Sequence, residues 1–142
     1  MDYFEEAFGG FEPHIDEDAA VKFALSIILM DRRLPELSHL VTDGDQIGGM
    51  EGEPGWIIER RDEGLGDVSY YANWPENTRF HAYVDPDVYH LVHPGIFMDT
   101  ATFHNYVRKG LDAYLKVNPS EAAVVQIIRS LLKSNNEVSS QT

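Results

Sequence analysis

The sequence predicts an α+β fold: an antiparallel sheet of about four strands in a meander, with helices packed on one face, in the order helix, four strands, two helices. Three observations carry this. Residues 16–33 are apolar almost all round over helical length. Four short runs rich in Ile, Val, Tyr, Trp and Phe follow, parted by the turn-like stretches RDEGLG, PEN and DP. Two patterns of helical period close the chain.

Each element has its own reasons. Residues 1–15 mix Tyr3, Phe4, Phe8 and Phe11 with Gly9, Gly10 and Pro13, and read as a loosely structured arm whose aromatics dock on the core. A helix is expected from Asp16, placed to cap its free N–H groups, to Arg33, where paired arginines suit a helix C-terminus. Its apolar residues surround it, so it should be buried. Residues 34–41 have room for a further short helical turn. Residues 42–55 (TDGDQIGGMEGEPG) are Gly-rich and acidic and read as a loop. Strands are expected at 55–61, 67–74, 78–85 and 87–93, and their short connections imply antiparallel neighbours. Alternation places Val68, Tyr70, Ala72, Trp74, Phe80, Ala82 and Val84 on one face, and Ser69, Tyr71, Asn73, Arg79, His81 and Tyr83 on the other. Asp99 or Thr100 caps a helix to Val117, with Phe103, Val107, Gly110, Leu111 and Tyr114 on one stripe. Glycine on that stripe points to close approach of another element. Asn118-Pro119 opens the last helix, which buries Val124, Val125, Ile128, Leu131 and Leu132. The chain reads as a single domain, 1–142, with an arm at 1–15 and a frayed polar tail at 134–142.

Charge narrows the function. The chain carries 24 acidic and 11 Lys and Arg residues, a net of −13. Residues 1–67 hold 17 acids and 5 bases, whereas 68–142 hold 7 acids and 6 bases. That excludes a nucleic-acid-binding domain of the basic kind and argues against an anionic membrane surface as partner. No apolar run has membrane-spanning length, and the acidic start shows no secretory leader, so a cytoplasmic protein is expected. Without cysteine there is no thiolate chemistry.

Motifs for catalysis are missing. There is no phosphate-binding G-x-x-x-x-G-K-[ST], no G-x-S-x-G and no H-E-x-x-H. Asp43-Gly44-Asp45 begins like a calcium loop, but Ile47 and Pro54 fill ligand positions that need oxygen donors. His81, His90, His93 and His104 lack the short spacing of a zinc site. Hence no catalytic residue, cofactor or metal is expected, and binding remains. Acidic patches recruit basic partners, and tyrosines supply rigid contact area with a polar tip. The candidate binding residues are the acids Asp43, Asp45, Glu51, Glu53, Asp62, Glu63 and Asp67, with Tyr71 and Tyr83 as anchors.

The run SYYANWPENTRFHAYVDPDVYHLVHPGIFMDTATFHNYVRKGLDAYLKVNP (69–119) has strands ending in Y-x-x-x-x-P and an F-x-D-x-x-x-F helix start. It resembles the small acidic immunity proteins of bacterial polymorphic toxin systems, including those of contact-dependent growth inhibition. The resemblance covers about a third of the chain. It implies a non-enzymatic protein that binds and neutralises one cognate toxin, commonly a basic nuclease, in the cytoplasm of the producing cell. It carries no functional residues over. The same residues admit another acidic interaction module, either a secretion chaperone or adaptor or a DNA mimic. The oligomeric state stays open, with a monomer as the simplest expectation.

Overall fold

The computed structural model describes residues 3–61 and 71–140, with side chains as far as Leu132. The elements are α1 (Tyr3–Phe8), α2 (Ala19–Met30), α3 (Leu34–Val41), β1 (Gly49–Gly52), β2 (Trp56–Arg60), β3 (Phe80–Val84), β4 (Gly95–Met98), α4 (Thr100–Val117), a 3-10 turn (Pro119–Glu121) and α5 (Ala122–Ser140). The strands form one antiparallel sheet in the order β1-β2-β3-β4. The fold class is therefore the expected one: an antiparallel four-stranded meander with helices.

Two of the four strands lie elsewhere than the sequence predicts. The run 87–93 is not a strand. Asp85 folds it into a turn, its main-chain oxygen accepting from the N–H groups of Val88 and Tyr89 at 3.0 Å, its side chain from that of Asp87. Of the apolar residues there only Leu91 is buried, while Val88, Tyr89 and Val92 are exposed. The last strand is instead the run Gly95–Met98 that follows Pro94. Residues 67–70 lie outside the described residues, as do Val68, Ser69 and Tyr70, and residues 71–74 turn rather than extend. The first strand comes from inside the predicted loop, at Gly49–Gly52, where only Met50 is buried. Gly52 is required there. A Cβ on it would sit 2.9 Å from both the Trp56 ring and the Arg33 guanidinium.

The inner face of the sheet follows strand alternation. Met50, Trp56, Ile58, Phe80, Ala82, Val84 and Met98 are buried there. Helix α2 lies across β2, β3 and β4, and α3 lies beside β1. Buried residues surround α2 as predicted, including Ala20, Val21, Ala24, Leu25, Ile28 and Leu29. The helix starts later than expected, after Asp18, and no side chain caps it. Asp16 does not cap it because its carboxylate accepts instead from the Glu12 N–H at 2.8 Å and from Lys22 Nζ at 3.1 Å. The first of these, with Lys22, holds Asp16 below the usual carboxylate range. Burial would lower the Lys22 ammonium, but Asp16 and Asp18 outweigh it and raise it.

Helix α4 starts as predicted, with the Asp99 side chain accepting from the Thr102 N–H at 2.7 Å. All five residues of its predicted stripe are buried. Phe103 stacks on Phe80 at 4.3 Å between ring centroids, tying α4 to the sheet, and each such ring contributes about 1.5–3 kcal/mol by burial. Gly110 marks the expected close approach: a Cβ there would lie 3.1 Å from Leu29 Cδ1 of α2. Helix α5 buries Val125, Ile128 and Leu132 against α3 and α4. It continues through Ser140, past position 134 where the tail was expected to begin. The N-terminal arm is helical over Tyr3–Phe8. Its aromatics dock: Phe4 stacks on Phe11 at 4.2 Å, Phe11 meets Phe23 of α2, and Phe8 meets Tyr106 of α4.

Candidate functional site

The helices leave the other face of the sheet uncovered by any described helix, and strand register orders what it shows. Glu51, Ile57, Tyr83 and Gly95 form one row across the four strands, and Gly49, Glu59, His81 and Phe97 the next. This is the face on which alternation placed His81 and Tyr83. His81 stacks on Phe97 with ring centroids 4.2 Å apart and planes 15° off parallel. Trp74 sets its edge against both rings, and Tyr71 against Trp74. Trp74 is buried as expected, but on this face rather than among Phe80, Ala82 and Val84. The turn at 71–74 carries it over the sheet from outside. The His81 imidazole is pushed down by burial, which outweighs Glu59, whose Oε1 lies 3.6 Å from Nδ1.

The candidate acids separate into two groups at opposite ends of β2, a strand about 13–17 Å long. Asp43 and Asp45 lie at its C-terminal end, in the loop after α3, and both are tied to bases. Asp43 pairs with Arg79. Asp45 accepts from His39 Nδ1 at 2.9 Å and from the Ile47 N–H at 2.8 Å, and these two bonds hold it below the usual carboxylate range. The whole loop is anchored by Arg60. This buried guanidinium donates to the main-chain oxygens of His39, Leu40, Thr42 and Asp45 at 2.5–3.0 Å. The His39 and Thr42 oxygens also accept from the N–H groups of Thr42 and Asp45, so the Leu40 oxygen at the end of α3 depends most on Arg60. The acids of 42–48 are thus met by Arg79 and His39 within the chain.

Glu51 and Glu53 lie at the other end, on the turn between β1 and β2. Their side chains are exposed and make no ion pair among the described residues. Asp85 joins them from the end of β3, where its N–H donates to the Gly55 oxygen at 2.8 Å. Together they rim a groove of about 450 Å³ floored by Gly52, Gly55, Trp56 and Ile57. Tyr83 stands beside Ile57 in the adjacent strand, 37% exposed. Trp56 is fixed there: its indole N–H donates to the Glu53 oxygen at 3.1 Å, and the Arg33 guanidinium lies over its ring at 5.3 Å.

Three candidate acids, Asp62, Glu63 and Asp67, lie outside the described residues. Tyr71 is half-buried, its hydroxyl 3.5 Å from the Arg60 oxygen, and reaches the sheet only through Trp74. Of the nine candidates, the structure therefore brings Glu51, Glu53 and Tyr83 together. Sequence reasoning missed Asp85 and Ile57. Alternation could have found Ile57, since it lies between the buried Trp56 and Ile58. Asp85 had no signal beyond its place after a strand.

Among the described residues, no group of three or more His, Asp or Glu side chains is placed to hold a metal ion. Among the same residues, no helix is long and apolar enough to cross a membrane. Comparison with protein families, with curated proteins and with solved structures finds no match to the chain.

Proposed function

We propose that the protein is a non-enzymatic binding protein of the toxin-immunity type, which neutralises a cognate basic toxin, a nuclease domain, in the cytoplasm. One observation carries the reading. Glu51, Glu53 and Asp85 rim a groove floored in part by Ile57, beside exposed Tyr83, and make no ion pair among the described residues. A cationic groove built to hold phosphates presents the complementary surface. Acids at the rim speed encounter and fix register, while Tyr83 and Ile57 supply the apolar contact that a partner buries.

The test is co-expression with the product of the adjacent open reading frame, followed by capture in low and then high salt. A one-to-one complex with a basic, toxic polypeptide that survives high salt supports the reading. If that product does not bind and the purified chain instead captures unrelated proteins, the adaptor reading takes its place.

A further inference from the structure

The two edges of the sheet are not alike. The Arg60 N–H donates to the Gly48 oxygen at 2.7 Å, so alternate residues Gly48, Met50 and Gly52 face β2, while Gly49 and Glu51 turn their main-chain groups outward. That outer edge is guarded: Arg33 Nη1 donates to the Glu51 oxygen at 3.0 Å, and α3 lies alongside. On the far side, the Val84 N–H donates to the Pro94 oxygen at 2.8 Å, so Pro94, Ile96 and Met98 face β3, and Gly95 and Phe97 turn outward. Nothing among the described residues hydrogen-bonds their outward groups. A bare edge is a template for another strand.

We propose that the strand it takes is β4 of a second copy, paired antiparallel about a two-fold axis at Ile96. The register selects the occupant. Centring on Ile96 sets Gly95 opposite Phe97 of the other copy, and Phe97 opposite Gly95. These are the residues with outward main-chain groups, so two pairs exchange four hydrogen bonds. The only proline nearby, Pro94, turns toward β3 and costs no bond across the interface. Side chains agree. Gly95 leaves a notch between two rings, where a Cβ would lie 3.2 Å from His81 Nε2 and 3.4 Å from Tyr83 Cδ2. The facing Phe97, 38% exposed in one chain, covers that notch and continues the aromatic rows into an eight-stranded sheet. Charges agree as well. The run Gly95–Met98 is itself uncharged, and the acidic excess lies in residues 1–67, so two copies with a net of −13 meet at their least repulsive place. This pairing departs from the expected monomer and is independent of the toxin reading, whose acids lie at the β1–β2 turn.

The test is sedimentation equilibrium on the purified full chain. The apparent mass should rise from 16.1 kDa toward twice that value. The midpoint should fall at about 10–100 µM, as suits an interface below about 1,200 Å². Phe97→Pro deletes an outward N–H and spares the β3–β4 ladder bonds, although it removes the ring stacked on His81, and should raise the midpoint about tenfold. Glu51→Pro, on the guarded edge, should leave it unchanged. A second variant does not depend on either proline folding well. The chain has no cysteine, and Ile96→Cys would place two thiols across the axis. Their Cα atoms would be about 4.5 Å apart, inside the disulfide range, so mild oxidation should cross-link the dimer. Glu51→Cys should not cross-link. A mass of one chain up to about 0.5 mM, or equal oxidation at both positions, would overturn the pairing.

Discussion

The two ends of β2 hold similar acids put to different uses. At its C-terminal end Asp43 and Asp45 are met by Arg79 and His39, and Arg60 gathers the loop's carbonyls from beneath. At its N-terminal end Glu51 and Glu53 face solvent and half-buried Asp85 joins them, around a groove that Ile57 helps to floor beside exposed Tyr83. The difference teaches that a local excess of acid is not by itself a binding surface. What separates the two ends is whether the fold supplies a base for each acid. An acid already paired has little left to offer a partner, whereas an unpaired acid beside exposed apolar surface can steer and then dock one.

The comparison breaks most sharply at Arg60. Arg60→Met should lower stability by about 2 kcal/mol, because the Leu40 and Asp45 carbonyls lose this donor together while those of His39 and Thr42 keep their main-chain donors. Denaturant unfolding measures it. A loss below about 1 kcal/mol would mean that water or the loop itself satisfies those oxygens. The next effect is on association. Reversing Glu51, Glu53 and Asp85 together to Lys should slow association with the captured toxin about tenfold or more at low salt, and flatten its salt dependence. Stability should fall by only about 1 kcal/mol, from the bond that Asp85 accepts from the Asp87 N–H. Asp43→Lys should do the reverse on a smaller scale: about 0–1 kcal/mol of stability lost with the exposed Arg79 pair, and little change in the association rate. Stopped-flow mixing of both variants decides between the ends. Equal slowing would show that net charge matters and that the pairing of each acid does not.

How much of this was legible beforehand depends on how strongly each segment's residues agree with its place. Helices α2 and α4 were legible because long apolar patterns leave one solution, and the Asp99 cap and the Gly110 contact were readable from single residues. Phe80, Ala82 and Val84 against His81 and Tyr83 were legible because a half-buried strand alternates cleanly. The edge strands were not. β1 is four residues with two glycines and a glutamate, so its propensity says loop, and it is a strand only because β2 pairs with it. β4 is equally short, and its neighbour 87–93 looks more like a strand than it does. The Val-Tyr-His-Leu-Val run satisfies composition, but Asp85 captures its amides in a turn first. For the site, the acids could be counted but not paired. Which acids have internal bases depends on contacts such as Asp43 to Arg79, 36 residues apart.

The smallest effect sharpens the comparison from the aromatic middle of the same face. Burial pushes the His81 imidazole below its ordinary value near 6.5 despite the nearby Glu59 carboxylate. Between the folded value and about 6.5 the unfolded chain therefore holds more protons than the folded one, and stability rises with pH across that window. The contribution is complete above about pH 6.5 and is lost as pH falls through the window. His81→Phe keeps a ring against Phe97 and Trp74 but cannot titrate. Urea midpoints at pH 7.5 and 5.5 should fall further apart in the native chain than in His81→Phe. Parallel midpoints would mean that Glu59 holds the imidazolium well enough to cancel burial. The middle of the face would then behave like its pinned end, with its charge answered from within, in contrast to Glu51 and Glu53 at the β1–β2 turn, which make no ion pair among the described residues.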